Sequence, residues 1–389
     1  MESSVLAFAT DLLDEGADHF FGNLTDRARV GGVTLASVYH QARDVFPHNP
    51  RHAIRYLEPG AAYFQPDPAR WSDLRLRPVP STAIGERDPF AEAAAESRRR
   101  GLKLHAWTVF LHNDRLGFQH PDCAPANAFG DRQLTELCPA NPDVRAYTTA
   151  LVAEHARYGV EAIRAESLHF HGLRHGFHHE RYFEQLGPVA EALLGLCFCE
   201  HCRAHATRLG VPADQVRQVV QDEIRRRLTD EAASAEATPL DTIADGALAA
   251  YVDASAATVT SLAAEAAATA ADHGMRLTFM DAEGPGHGWL SGVDLPALAK
   301  AVPQIETLGY AATPEAVREK VAAFALHGVN PDALAVILRP MSKDCDGPEN
   351  LAAKIRMLAE LGVPEVEFYN YGLMRLSSMD RIGAALSTR

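Results

Sequence analysis

Eight short runs of apolar, β-branched or aromatic residues recur along the 389-residue chain, and helix-like segments separate most of them. Strands that alternate with helices pair in parallel through right-handed crossovers. Eight such units predict an α/β fold of the (β/α)8 TIM-barrel type, with a doubly wound open sheet as the alternative. The predicted strands are 32–39, 53–57, 102–110, 160–165, 275–280, 304–308, 334–339 and 366–370.

No linker or break in composition divides the chain, so we predict a single barrel domain over residues 1–389. Segment 5–23 predicts an N-terminal helix that closes the bottom of the barrel. The alanine-rich stretch 247–271 predicts a long helix in the outer ring. A loop insertion near 167–205 is predicted to follow the fourth strand.

The charge pattern limits the partners that this chain could bind. Its net charge is −14, and no basic patch stands out, which argues against nucleic acid or an anionic membrane. The first residues show no secretory signal, and no uncharged apolar stretch approaches about 18 residues. We therefore predict a cytoplasmic protein with a small-molecule partner, and the sequence leaves a homo-oligomer open.

Three of the six cysteines, Cys197, Cys199 and Cys202, lie within six residues. Thiols one residue apart do not readily form a disulfide with each other, but all three can converge on one soft cation. The Cys-x-Cys-x-x-Cys run therefore predicts half of a structural zinc site that needs one more ligand. A reducing cytoplasm fits a metal better than disulfides. The alternative is three buried thiols without a metal.

Polar and aromatic residues gather where the predicted strands end, which is where TIM barrels place their active sites. Carboxylates can protonate a leaving oxygen or stabilise an oxocarbenium ion, and aromatic faces stack on sugar rings. This rim predicts a small carbohydrate or glycoside as the substrate. The predicted substrate-binding residues are His40, Trp107, His112, Asn113, Arg164, His169, Arg339, Tyr369 and Tyr371.

Glu166 is the sharpest catalytic candidate, because it ends the fourth predicted strand. Arg164 shares its face of the strand, so the two side chains could meet inside the barrel and fix the ionisation of the acid. A buried structural ion pair is the alternative. We predict Glu166 at the bottom of the main pocket, with Asp281, slightly favoured, or Glu306 as the second carboxylate. Glu283 could equally be a solvated loop residue.

Segment 169–179 contains five histidines directly after this candidate acid. Such density predicts a second metal, proton transfer or hydrogen bonds to sugar hydroxyls, and an exposed loop without chemistry is the alternative. Its position favours a wall of the substrate pocket.

The order of Cys138, a helix, the strand that ends in Glu166 and the cysteine run resembles family 42 β-galactosidases and related barrels. The match covers roughly residues 130–205, about a fifth of the chain. The resemblance implies that Cys138 is the fourth ligand of a structural zinc and that Glu166 is the acid/base. We expect Cys123 to substitute if Cys138 points away, and Cys345 to be an ordinary thiol.

Two positions depart from that family. Ala165 stands where the family has asparagine before its acid/base, and Arg339 follows the seventh predicted strand, where the family has its nucleophile glutamate. The nearest acid there is Asp344. The Arg-x-Glu strand also resembles α-amylase-type barrels, which would make Glu166 the nucleophile and an acid near Asp281 the proton donor.

The sequence therefore predicts a glycoside hydrolase that works through two carboxylates. One alternative is a metal-dependent sugar isomerase or epimerase in which Glu166, Asp281, Glu306 and a histidine bind a divalent cation. The other is a carbohydrate-binding barrel without catalysis.

Overall fold

The computed structural model describes residues 1–176 and 179–387 and contains a closed barrel of eight parallel strands. Each strand pairs with the next, and β8 pairs with β1 to close the barrel. The predicted TIM-barrel fold is confirmed. The strands are β1 (Glu2–Ala7), β2 (Gly32–Tyr39), β3 (Lys103–Val109), β4 (Ala162–Glu166), β5 (Arg276–Asp281), β6 (Gln304–Leu308), β7 (Leu334–Leu338) and β8 (Glu365–Phe368).

The barrel strands are buried on both faces, because helices cover the outside and side chains fill the inside. All eight residues of β2 and all five of β7 are buried. Strands of this kind appear in a sequence as continuous apolar runs, which is why five of the other predicted strands also overlap barrel strands.

Local sequence signals set the helix boundaries. Asp88 accepts a hydrogen bond from the Ala91 amide ahead of helix 89–100, and Gly101 ends that helix in the left-handed conformation. The helices of four or more residues are Ala9–Glu15, Ala17–Gly22, Asn23–Ala28, Pro68–Trp71, Pro89–Arg100, Asp114–Gln119, Pro142–Glu154, His155–Tyr158, Pro188–Gly195, Glu200–Arg208, Ala213–Thr229, Glu231–Ser234, Ala247–Asp272, Leu295–Ala301, Pro314–Leu326, Pro348–Glu360 and Leu376–Ser387.

Near the N-terminus one predicted strand is wrong, and the predicted helix 5–23 is helical only from Ala9, over 9–15 and 17–22. Segment 53–57 is not a barrel strand: Ile54–Leu57 pairs with Ala42–Val45 in a hairpin outside the barrel, with Ile54 and Tyr56 exposed. The missing strand is β1, which occupies the start of the predicted helix 5–23; the first helix begins only at Ala9. Short apolar runs do not separate strand from helix by periodicity, which explains the error.

The predicted outer-ring helix is confirmed as Ala247–Asp272. By length and composition alone it could cross a membrane, but 56% of its apolar window is buried inside the protein. It packs on helices 142–154 and 295–301. These contacts are those of a core helix.

The segment after β4 extends beyond the predicted insertion 167–205. Helices 188–195, 200–208 and 213–229 share a second hydrophobic cluster with the start of helix 247–272. Val220, Ile224 and Leu248 are completely buried there. The insertion is therefore a packed layer beside the barrel, not a bare loop.

The barrel interior contains a buried ionic network around Arg164, whose side chain is 0% exposed. Its Nε donates to Glu367 Oε1 at 2.7 Å, and its Nη1 donates to Thr278 Oγ1 at 2.7 Å. Its Nη2 donates to Glu365. The charge of Arg164 thus offsets two buried carboxylates from β8.

We expect Arg164→Met to destabilise the protein by about 3–5 kcal/mol, because it leaves the buried carboxylate of Glu367 without its arginine partner. The matched control is Arg276→Met, since Arg276 pairs with the same Glu365 at 2.8 Å but is 38% exposed. That change should cost about 0–1 kcal/mol. Urea unfolding measures the free energy of unfolding of both variants. Equal losses in the two would contradict the role of Arg164 as the main counter-charge inside the barrel.

Candidate active site

Glu166 lies at the carboxyl end of β4 and is half-buried at the top of the barrel. Its carboxylate accepts a hydrogen bond from the indole Nε1 of Trp107, on the neighbouring strand β3. Burial raises the pKa of Glu166 above its usual range, although the Trp107 hydrogen bond and the nearby His112 and His175 act in the opposite direction. The carboxyl group can therefore hold a proton closer to neutral pH than an exposed glutamate.

Aromatic rings surround this carboxyl group. The ring centroid of Trp107 lies 4.8 Å from that of Tyr39 and 5.9 Å from that of Tyr369. Tyr310 continues the series at 6.2 Å from Tyr369. Burial raises the pKa of Tyr39 and of Tyr369, and the negative charge of Glu166 raises the two pKa values further. Both phenols therefore lie close to the Glu166 carboxyl group. The arrangement offers apolar ring faces with polar edges.

Glu306, on β6, is fully buried, and neither of its oxygens has a hydrogen-bond partner within residues 1–176 and 179–387. Burial raises its pKa well above the usual range, and the charges of Glu367, Glu365 and Glu166 raise it further. Arg164, whose Nε lies 3.7 Å from Glu306 Oε1, opposes this shift only in part. The surroundings of Glu306 therefore favour its neutral form.

Asp281, at the end of β5, occupies a different environment. Its Oδ1 accepts hydrogen bonds from the amides of Glu283 and Gly284, both at 3.1 Å. Burial raises its pKa, and these amides and His169 lower it. The charge of Glu166 raises the pKa of Glu306, so these two carboxyl groups interact. This interaction favours Glu306 as the second carboxylate, and Asp281 stays the alternative.

We expect Glu306→Gln to stabilise the protein at pH 7.5. The unfolded chain releases this proton near the ordinary glutamate pKa of about 4.3, whereas the folded protein keeps it, so stability falls as pH rises above that value. A glutamine has no such proton, so the stability of the variant does not fall with pH for this reason. Thermal unfolding should show the gain at pH 7.5 and little difference at pH 4. A gain that is the same at both pH values would contradict the neutral state.

Three predicted substrate-binding residues do not face the site. Arg164 is enclosed by the ionic network of the barrel core and does not hydrogen-bond Glu166. Asn113 is fully buried, and its Oδ1 caps helix 114–119 by accepting from Leu116 N at 3.0 Å. The hydroxyl of Tyr371 donates to Glu15 at 2.6 Å, among the N-terminal helices. These side chains serve the fold.

The predicted histidines form a chain of ring contacts at the rim. Ring centroids are 4.6 Å apart for His40 and His112, 4.5 Å for His112 and His175, and 4.0 Å for His175 and His171. His169 lies 4.7 Å from His171. His178, another member of the histidine-rich segment, is outside the described residues.

The predicted Arg339 follows β7, and its guanidinium lies 3.9 Å from the ring centroid of Tyr310 and hydrogen-bonds Asp344. It therefore borders the aromatic group. Sequence reasoning missed Tyr310 and Glu136. Tyr310 comes two residues after the end of β6 and could have been found as a strand-end residue. Glu136 lies in an irregular loop without any periodic signal.

Two rim cavities, of about 470 and 460 Å³, flank the histidine-rich segment. His175 lines both, and Glu166 lines neither. The expectation that Glu166 forms the bottom of the main pocket is therefore not met in this conformation, because Trp107 and the tyrosines pack around its carboxyl group.

The four predicted cysteines come together beside the barrel. Cys138 Sγ lies 3.9 Å from Cys197 Sγ, 3.6 Å from Cys199 Sγ and 3.5 Å from Cys202 Sγ. Tetrahedral zinc with Zn–S bonds of about 2.3 Å requires sulfur atoms about 3.8 Å apart, so the four thiols fit that ion. Cys123 is outside the cluster, and Cys345 donates to the Gly347 carbonyl at 3.1 Å.

No protein-family model matches the sequence, and no curated protein matches it either. Solved structures with similar folds include an α-L-fucosidase isoenzyme 2 from Paenibacillus thiaminolyticus (12% identity, TM-score 0.53) and a β-galactosidase from the psychrophilic Marinomonas ef1 (11%, 0.56). Both matches cover 100% of this chain but only 49% and 59% of those chains.

A Group IV chitinase from Ostrinia furnacalis matches at 10% identity and a TM-score of 0.50, with 99% of each chain covered. Since all three identities are low, these likenesses show the barrel fold that this chain shares with glycoside hydrolases.

Proposed function

We propose that this protein is a glycoside hydrolase that acts on a small carbohydrate or glycoside through Glu166. The observation that carries the proposal is the half-buried carboxyl group of Glu166 at the end of β4, inside a group of aromatic rings. A carboxyl group with a raised pKa can protonate the leaving oxygen of a glycoside, and aromatic faces can stack on the sugar ring.

Glu306 is the second carboxyl group in this proposal. Two carboxyl groups whose surroundings shift their pKa values to different extents divide the acid and base roles. Burial raises the pKa of both groups, and the charge of Glu166 raises that of Glu306 further. In this proposal Glu166 takes the acid/base role, and Glu306 is the candidate for the other role.

A structural zinc at Cys138, Cys197, Cys199 and Cys202 is part of the proposal. Four thiolates fill a tetrahedral ion and leave no position for a substrate, so its role would be to hold the segment after β4. The sulfur–sulfur distances of 3.5–3.9 Å support this assignment. The same cysteine order supports a relation to family 42 β-galactosidases.

The first test is a panel of aryl glycosides that varies the sugar and its anomeric configuration, assayed with the wild-type protein. Release of the aryl alcohol from one or a few members is the expected result. A carbohydrate-binding barrel is the second candidate, because Arg339 replaces an acid at β7 and Glu166 lines neither rim cavity. Saturable sugar binding without release from any member would favour that candidate.

A further inference from the structure

Glu136, His171 and His175 converge on one point at the rim of the barrel. His171 Nδ1 lies 3.3 Å from Glu136 Oε2, and His175 Nδ1 lies 3.4 Å from Glu136 Oε1. The three ligand atoms all lie within 4.8 Å of one another. Glu136 and His171 have side chains only 2% and 6% exposed, so this is a built site and not a chance surface cluster.

Two polar atoms of this cluster, one on each histidine, lack the hydrogen-bond partners that buried atoms normally have. Among the residues that the structure describes, neither His171 Nδ1 nor His175 Nδ1 has a hydrogen-bond partner, although both face the same carboxylate. Buried polar atoms are nearly always paired in native proteins, so two orphaned imidazole nitrogens aimed at one carboxylate need an explanation. A cation between the three groups would satisfy all of them.

The distances also fit a metal ion. Zinc binds imidazole nitrogen and carboxylate oxygen at about 2.0–2.2 Å, which places ligand atoms of a tetrahedral site roughly 3.3–3.5 Å apart. The two nitrogen–oxygen distances lie in that range, with one histidine facing each oxygen of the Glu136 carboxylate. Gln133 Nε2 donates to Glu136 Oε1 at 3.0 Å and would orient the carboxylate from outside, as groups behind metal ligands commonly do.

We propose that Glu136, His171 and His175 bind a divalent transition metal ion such as zinc, at a site separate from the cysteine cluster. Three protein ligands leave a fourth position for water or a substrate hydroxyl, which is the arrangement of zinc sites that take part in chemistry. His175 lines both rim cavities, and His171 lines one of them, so that position faces space that a ligand can reach.

Zinc content measures this site directly. Full-length wild type, His175→Ala and Glu136→Gln are equilibrated with zinc, desalted and analysed for metal, with circular dichroism to confirm folding. Each variant should hold one equivalent less than wild type. The control is His287→Ala, which removes an exposed histidine from the rim loop after β5 and should match wild type. Wild-type zinc content in both folded variants would overturn the proposal.

Cobalt(II) titration of the wild type tests the site without any variant. Cobalt in the cysteine cluster gives a thiolate charge-transfer band, whereas cobalt at a histidine–carboxylate site does not. After the charge-transfer band saturates, one further equivalent of cobalt should add visible absorption. If no further absorption appears, the proposal is overturned. Neither readout depends on whether the protein cleaves glycosides, so the two proposals fail separately.

Discussion

Replacing Cys199 with serine is expected to remove one equivalent of zinc and to loosen the segment between β4 and β5. Cys199 and Cys202 lie at the start of helix 200–208, while Cys138 lies just before helix 142–154, so the ion would tie the insertion to the barrel. Structural zinc sites contribute about 10–16 kcal/mol of apparent binding free energy in small domains. The loss of stability in this segment should therefore be large. Elemental analysis and limited proteolysis measure the two effects.

The matched controls are Cys123→Ser and Cys345→Ser, which alter buried thiols outside the cluster. Both should keep the zinc content of the wild type and resist proteolysis to a similar extent. If Cys199→Ser still contained the full wild-type equivalent of zinc, the cysteine assignment would be wrong.

Replacing Glu166 with glutamine is expected to lower kcat by about 10²–10⁴-fold on any glycoside that the wild type cleaves, because general acid–base catalysis is lost. Glutamine keeps the size of the side chain and can still accept the hydrogen bond from Trp107. We therefore expect KM to change little and the fold to remain intact. Initial rates over a range of substrate concentrations separate the two constants.

Glu161→Gln serves as the control, because Glu161 is exposed just before β4, at the opposite end of the same strand. It should retain the wild-type kcat. A loss of only a few-fold in Glu166→Gln would show that another group carries the chemistry. Glu306→Gln and Asp281→Asn, measured beside it, would then identify that group.

The barrel could be predicted from the sequence because buried parallel strands leave continuous apolar runs between helices with clear caps. Strand β1 escaped prediction because its short run merges with the helix that begins at Ala9. The hairpin strand 54–57 resembles a barrel strand in composition, but it pairs outside the barrel, and its side chains Ile54 and Tyr56 are exposed. Tertiary context decided both cases.

The site was predictable only in part. Glu166 and the cysteines stand out because strand ends and close thiol spacing carry direct signals. The structural role of Arg164 could not be predicted from the sequence, because its partners Glu365 and Glu367 lie on a strand about 200 residues later. Glu136 joins His171 and His175 through the same kind of distant contact.

The most direct test of the central claim is proton NMR of a glycoside from the panel during incubation with the protein. We predict that the wild type converts the anomeric signal of the glycoside into the signals of the free sugar, and that the first anomer formed is visible before mutarotation. Glu166→Gln should leave the glycoside signal essentially unchanged over the same period. Equal conversion by the two proteins, or none by the wild type at concentrations that saturate binding, would contradict the account.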